Sequence, residues 1–213
     1  MIRIGEYNDL EAFKRVDFGV YLGSEEEWVL LPSKWVPDEL ALGESLRVFV
    51  YTDSKDRPIA TTDAPVATIG EFASMEVVDM TKYGAFVDWG LEKDLFVPFA
   101  RQTGALKKGQ RPIVYVSLDE RTGRVIGSTD LGRCFEYDIA DLHVGQEVTL
   151  LVFDFNDAGA QVVVEGRYRG IVYHDETFEA LQIGQQINGW VKQLRDDNRI
   201  DVSVRRPGHG SVV

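Results

Sequence analysis

The chain has one cysteine, Cys134, and three histidines, His143, His174 and His209, in 213 residues. A lone thiol cannot close an internal disulfide, so the chain owes nothing to oxidation and suits a reducing cytoplasm. Three scattered histidines with one cysteine do not supply the four nitrogen and sulfur ligands of a structural zinc, so no metal is expected. No apolar run approaches the roughly 18 residues that span a bilayer. The opening MIRIGEYNDLEAFKR is acidic and lacks the apolar core of an export signal, which again points to the cytoplasm and away from a membrane. Basic residues are also in deficit: 23 Lys and Arg face 35 Asp and Glu, for a formal charge of -12. That balance excludes a generally basic nucleic-acid coat, though it leaves room for a local basic groove.

Catalytic signatures are missing too. The chain has no G-x-x-x-x-G-K-[ST] phosphate loop, no G-x-S-x-G elbow, no H-E-x-x-H and no D-x-D-x-D loop. His174-Asp175-Glu176 is the one cluster that invites a catalytic or metal reading, and a single histidine beside carboxylates on a turn is more simply a surface polar group. Glu25, Glu26 and Glu27 are consecutive, so their carboxylates cannot converge on one ion. The chain therefore reads as non-enzymatic, with no catalytic residues, no cofactor and no small-molecule substrate.

What is present is a repeat. A glycine inside an apolar run recurs as Phe18-Gly19-Val20-Tyr21, Tyr83-Gly84-Ala85-Phe86-Val87 and Ala158-Gly159-Ala160-Gln161-Val162. A short apolar strand follows each, at Leu30-Leu31-Pro32, Leu95-Phe96-Val97-Pro98 and Gly170-Ile171-Val172-Tyr173. Turn glycines come next at Gly43, Gly109 and Gly184. A strand, charged turn and strand close each unit: VFVYTDSKDRPIATT, IVYVSLDERTGRVIGST and NGWVKQLRDDNRIDVSV. These landmarks are offset by about 65 residues and then by 75. The ten extra residues fall on LGRCFEYDIADL, read as a linker. The organisation expected is thus residues 1–63, residues 64–130, a linker at 131–142, and residues 143–213.

Within each unit the pattern is β-branched with period two, as in Ser74–Met80 and Val148–Phe153, which predicts strands. Five short strands in about 65 residues suit a small β-barrel, because closure removes free sheet edges. The recurring glycine is expected where a strand bends at a barrel corner. Short helical turns are expected between the third and fourth strands, in segments 37–43, 100–109 and 176–184.

A Gly-Ala-Phe-Val strand, a following apolar strand and an Asp-x-x-x-Gly-Arg turn resemble the S1 RNA-binding domain of the OB-fold class. The second repeat carries this best, through Tyr83–Val87 and Asp119–Arg124. KDLFVP (93–98), VSLDERTGRVIGST (116–129), RGIVYHDETFEALQIG (169–184) and VKQLRDDNRIDVSV (191–204) together are similar to the bacterial conserved virulence factor B family. The fold class implied is all-β, three tandem S1-like OB-fold five-stranded β-barrels with short helical turns. The first of them is degenerate. The resemblance also implies a winged-helix domain after the third barrel, while the sequence given ends at RRPGHGSVV; a protein partner or that winged-helix domain is expected at the third repeat.

The partner implied is single-stranded RNA, held by rings that stack on bases and cations that follow phosphates. On the S1 pattern Tyr83 and Phe86 form the stacking surface of the second repeat. Asp119 and Arg124 stand at its edge, and Lys82 and Arg121 flank it. The first repeat keeps Phe18, Tyr21, Asp53 and Arg57. The third has Ala158 and Gln161 at the aromatic positions and Leu194 at the aspartate position, though Arg195 and Arg199 remain. Its Tyr168, Tyr173, Phe178 and Trp190 fit either its own core or a docked neighbour. From the residues alone, rings in strands fit a core as well as a platform. Lys107 and Lys108 fit a solvated turn, and Asp119 with Arg124 fits a surface ion pair bracing its turn.

Charge ranks the repeats. Residues 1–63 hold 7 basic and 13 acidic groups, residues 64–132 hold 8 and 9, and residues 133–213 hold 8 and 13. Because phosphate contacts dominate affinity, the near-neutral middle repeat is the expected RNA binder. The role implied is post-transcriptional regulation of gene expression. The alternative is a protein adaptor whose acidic barrels bind little nucleic acid.

Overall fold

A computed structural model describes residues 1–176 and 180–206. Almost all regular structure is β, with about 4% of the chain helical. The first five strands are β1 (Glu6–Val16), β2 (Gly19–Gly23), β3 (Trp28–Pro32), β4 (Ser45–Thr52) and β5 (Pro58–Thr61). They close into a barrel of order β1-β2-β3-β5-β4, antiparallel throughout except for β3 against β5. Alternation drives the closure: Val20 and Leu22, Val29 and Leu31, and Val48 and Val50 turn inward and are fully buried with Ala12 and Ala60.

The middle strands are β6 (Phe72–Ser74), β7 (Glu76–Met80), β8 (Gly84–Asp88), β9 (Leu95–Pro98), β10 (Ile113–Asp119) and β11 (Arg124–Ser128). They form a six-stranded sheet of order β6-β10-β11-β9-β8-β7. Five strands were expected. The difference lies in the leading strand, which must bend to pair with two neighbours and here breaks at Met75, whose side chain is buried. Counted as one, β6 and β7 restore the strand order of the closed barrels.

The last five strands are β12 (Glu147–Asn156), β13 (Gly159–Val164), β14 (Tyr168–Tyr173), β15 (Gln186–Leu194) and β16 (Ile200–Ser203). They close in the order β12-β13-β14-β16-β15. Tyr168 lies in the core of this barrel with Leu150, Val152, Val162, Val191 and Ile200.

The repeat seen in sequence is a repeat of hydrogen bonds. A bulge interrupts β1 between Ala12 and Lys14, β7 between Val77 and Asp79, and β12 between Val152 and Asp154. At each bulge the turn glycine donates to the strand: Gly43 to Ala12, Gly109 to Val77 and Gly184 to Val152. The recurring glycine has a sharper cause than a bend. Gly19, Gly84 and Gly159 open the second strand of each unit at φ near +158°, and a Cβ there would lie 2.1 to 2.3 Å from a carbonyl oxygen of the third strand. Only glycine lets the two strands approach so closely.

The helical turns fall between the third and fourth strands as expected, but immediately after the third, at Ser33–Trp35, Phe99–Arg101 and His174–Glu176. Each of the first two follows the proline that ends a strand, where φ is already fixed near a helical value. Part of segment 176–184, including Phe178, lies outside the described residues, as does His209.

The chain divides into two compact units, one of residues 1–70, 75–110 and 115–129, the other of residues 71–74, 111–114 and 130–213. In the first, the outer side of β4 is covered as well as the inner, which explains why RVFVY reads as a continuous apolar run. Trp89 packs edge-on against Phe49 at 5.7 Å and Tyr51 at 6.3 Å, and its Nε1 donates to the Lys93 carbonyl at 2.6 Å. In the second unit, segment 131–142 is packed rather than loose. Phe135 stacks on Phe72 at 5.4 Å and meets Phe153 at 5.5 Å, while Leu142 joins the barrel core.

Candidate nucleic-acid interface

The outer face of each barrel is read from one cross-strand row. In the first barrel the register aligns Lys14, Tyr21, Leu30 and Ile59. In the middle sheet the same row is Asp79, Phe86, Phe96 and Ile126, and in the third barrel it is Asp154, Gln161, Ile171 and Asp201. Side chains of one row touch directly or through one neighbour, so their chemistry acts together.

On the first barrel the row sits in a cluster of four rings. Tyr21 lies at its centre, 4.4 Å from Trp28, 6.3 Å from Phe13 and 6.4 Å from Phe18. Phe18 and Trp28 remain 58% and 51% exposed, on the β1–β2 turn and at the start of β3. Lys14 is exposed directly across from Tyr21. Sequence reasoning found Phe18 and Tyr21 but missed Phe13 and Trp28. Phe13 occupies the bulge, which turns it outward with the row, and Trp28 precedes the segment by which β3 was recognised.

The β4–β5 hairpin borders this face and is tightly held. The Asp53 carboxylate accepts from the Lys55 and Arg57 backbone at 2.8 and 3.0 Å, and from Arg57 Nε and NH2 at 2.9 and 2.7 Å. Burial works to raise its pKa, but the Arg57 and Lys55 bonds outweigh it and hold the carboxyl below the usual range. Arg57 is thus engaged within its own turn. From the next barrel Lys93 Nζ donates to the Thr52 and Asp53 carbonyls at 3.1 and 2.8 Å, and Arg124 pairs with Asp56. Burial lowers the Lys93 pKa, as expected for an amine clamped between barrels.

In the middle sheet the expected residues separate. Tyr83 projects from the turn before β8, is 67% exposed and carries Lys82 over its ring at 5.0 Å. Phe86 is half-buried against Phe96 at 5.1 Å, with Asp79 across from it in register. Asp119 stands across from Arg124 in the strand register, but its carboxylate does not pair with that guanidinium, which is taken by Asp56. Asp119 braces its own turn, accepting from Thr122 Oγ1 at 2.8 Å and from the Arg121 amide at 3.2 Å, and these bonds lower its pKa. The Arg121 side chain is exposed, and so are Lys107 and Lys108.

The third barrel brings no ring to its row. Arg195 pairs with buried Asp201 at 2.8 Å and Arg199 lies 3.7 Å from Asp197. Glu176 is held by Lys192 and by Ser203 Oγ, which lower its pKa. Glu27 pairs with the terminal amine of Met1 at 3.1 Å. Among the described residues no group of three or more His, Cys, Asp or Glu could hold a metal ion. No helix among them is long and apolar enough to cross a membrane.

Closed five-stranded barrels of this strand order fit the OB class, and residues 4–63 match the S1 domain. Over 211 residues the chain is 25% identical to the uncharacterized protein YitL of Bacillus subtilis, covering 95% of this chain and 70% of that protein. It is similar in fold to a crystal structure of a multidomain protein with nucleic acid binding domains from Streptococcus pneumoniae. That likeness has a TM-score of 0.54 at 20% identity, over 95% of this chain and 74% of the other. The S1 match falls on the first repeat, the one in which the sequence pattern was weakest.

Proposed function

We propose that the chain is a non-enzymatic RNA-binding protein that takes single-stranded RNA on the outer face of its first barrel. Phe13, Phe18, Tyr21 and Trp28 stack bases, and Lys14 meets a phosphate. The observation that carries this reading is the four-ring cluster, with Phe18 and Trp28 exposed and Phe13 and Tyr21 half-buried, and a lysine in its row, on the barrel that matches the S1 domain. Rings offer every base a π-face, so little sequence preference is expected. Tyr83 with Lys82, and the exposed Arg121, offer further contacts on the middle sheet. Arg57 and Arg124 act here by fixing the hairpin, and Asp119 by fixing its turn. Phe86 is left out of the platform, because Asp79 opposes it and repels phosphate. Units 1–63, 64–130 and 143–213 joined by 131–142 are the barrels of this proposal. Similarity to the conserved virulence factor B family supports a cytoplasmic, bacterial, post-transcriptional role. The row of the third barrel, without a ring and with acids at both ends, supports protein docking there.

Titration of labelled oligo-U at low and moderate salt tests the RNA face. Stacking contributes about 1–3 kcal/mol per base, so Tyr21→Ala with Trp28→Ala is expected to weaken binding at least tenfold, and Tyr83→Ala by less. Affinity should fall as salt rises. No binding at low salt, or equal binding by the Tyr21/Trp28 variant with its fold intact by circular dichroism, refutes the assignment.

A further inference from the structure

Beside the first barrel's ring face lies a cleft of about 510 Å³ with a different chemistry. Trp35, Tyr51, Ile59 and Phe86 wall it, and Asp53, Asp79, Glu92 and Asp94 stand around it, Asp53 being held by Arg57. Its cations are already engaged. Lys93 points its amine at two carbonyls of the β4–β5 hairpin, and Lys34 pairs with Glu92 while lying 4.2 Å over the Trp35 ring. The carboxylates of Asp79 and Asp94 are less well served. Among the described residues the Asp79 carboxylate accepts only from the neighbouring Met80 amide, at 2.9 Å. Asp94 has no hydrogen bond or ion pair among the described residues, although it is partly buried. Burial raises its pKa, and Asp88 and Asp79 raise it further. Tyr51 is likewise pushed up to about 12, first by burial and then by Glu92, Asp63 and Asp53.

We propose that this cleft receives a basic segment of a protein partner, with an arginine side chain stacking on Phe86 and pairing with Asp79 and Asp94. Charge complementarity selects the occupant. A phosphate entering here meets four carboxylates, whereas a guanidinium gains both a ring face and acceptors in the plane of its fork. A compact metal ion is disfavoured because no three acids converge. Basic arms are a common device of proteins that themselves bind nucleic acid, so the two faces together would dock a ribonucleoprotein. The inference is independent of the RNA reading and can fail separately.

The test uses a fluorescein-labelled hexa-arginine peptide in an anisotropy titration at moderate salt, with oligo-U in a parallel arm. Asp79→Asn with Asp94→Asn is expected to weaken peptide binding at least about fivefold, the loss of one good charge-assisted contact. Glu25→Gln with Glu26→Gln removes the same charge outside the cleft and should leave peptide binding unchanged, and oligo-U affinity in the first variant should not fall. Equal losses in both variants would reduce the effect to bulk charge and overturn the proposal. So would absence of peptide binding, or loss of oligo-U binding in the Asp79/Asp94 variant.

Discussion

Replacing Gly84 by alanine tests whether the recurring glycine is a structural necessity. At φ +159° the new Cβ would lie 2.3 Å from the Val97 carbonyl oxygen, 2.8 Å from Pro98 Cα and 2.9 Å from Phe96, all inside the 3.0 Å below which real Cβ contacts are essentially never found. Two of these atoms are backbone, so β9 must move away from β8. Nearby bonds at that end are Thr81 to the Gly84 carbonyl at 2.9 Å and Phe99 to the Tyr83 carbonyl at 3.2 Å. Losing both costs about 1 kcal/mol each. The unfavourable backbone conformation of an L-residue adds about 1–3 kcal/mol. The total, about 3–5 kcal/mol, is a large share of a domain's stability. Gly109→Ala is the control: its φ is +88° but no atom lies within 4 Å of a Cβ, so only the conformational part, about 1–2 kcal/mol, is expected. Urea unfolding followed by tryptophan fluorescence, with Trp89 directly after β8, gives both values. If the two variants agree within about 0.5 kcal/mol at equal m-values, close approach is not what demands glycine.

Trp89→Ala removes a side chain that is 2% exposed and shared between the first barrel and the middle sheet, and is expected to cost about 3–5 kcal/mol and to split one unfolding transition into two. A single transition with a loss below about 1 kcal/mol in denaturant melts would contradict the packing. Asp94→Asn should stabilise the protein near neutral pH. The native carboxyl has a raised pKa, so the folded state binds more protons between the ordinary and the raised value, and stability falls as pH climbs through that window. The variant's advantage in pH-dependent melts should vanish below the ordinary carboxylate range. Asp53→Asn should behave oppositely. The native pKa is lowered, so the stability that Asp53 contributes is present above the ordinary value and lost as pH falls toward the folded one.

Much of the fold was legible because barrels impose rigid local demands. The glycine of close approach, the turn glycine at the bulge and the charged hairpin each answer a backbone constraint, so each recurs at a fixed offset. The break at Met75 was not legible, because strand pairing on both sides of that residue is decided by partners distant in the chain. The same holds for Lys93 and Arg124. Nothing local distinguishes a lysine that will clamp two carbonyls of another barrel, or an arginine that will pair with Asp56 rather than with Asp119 five residues before it.

The candidate site shows why a segment's net charge is a poor guide to what binds it. Counting charges favoured the middle repeat. Yet a bound phosphate responds chiefly to groups within about one Debye length, roughly 8–10 Å at ordinary salt. The relevant difference is therefore one side chain in each row. Five residues before the recurring glycine stand Lys14, Asp79 and Asp154, and two residues after it stand Tyr21, Phe86 and Gln161. Those positions were available once the repeats were aligned on the glycine, but their meaning required the register, which places each pair opposite one another on the outer face. A lysine facing a tyrosine makes a surface for a base and its phosphate. An aspartate facing a phenylalanine keeps the ring and reverses the charge of the ligand it suits, and an aspartate facing a glutamine offers no ring at all.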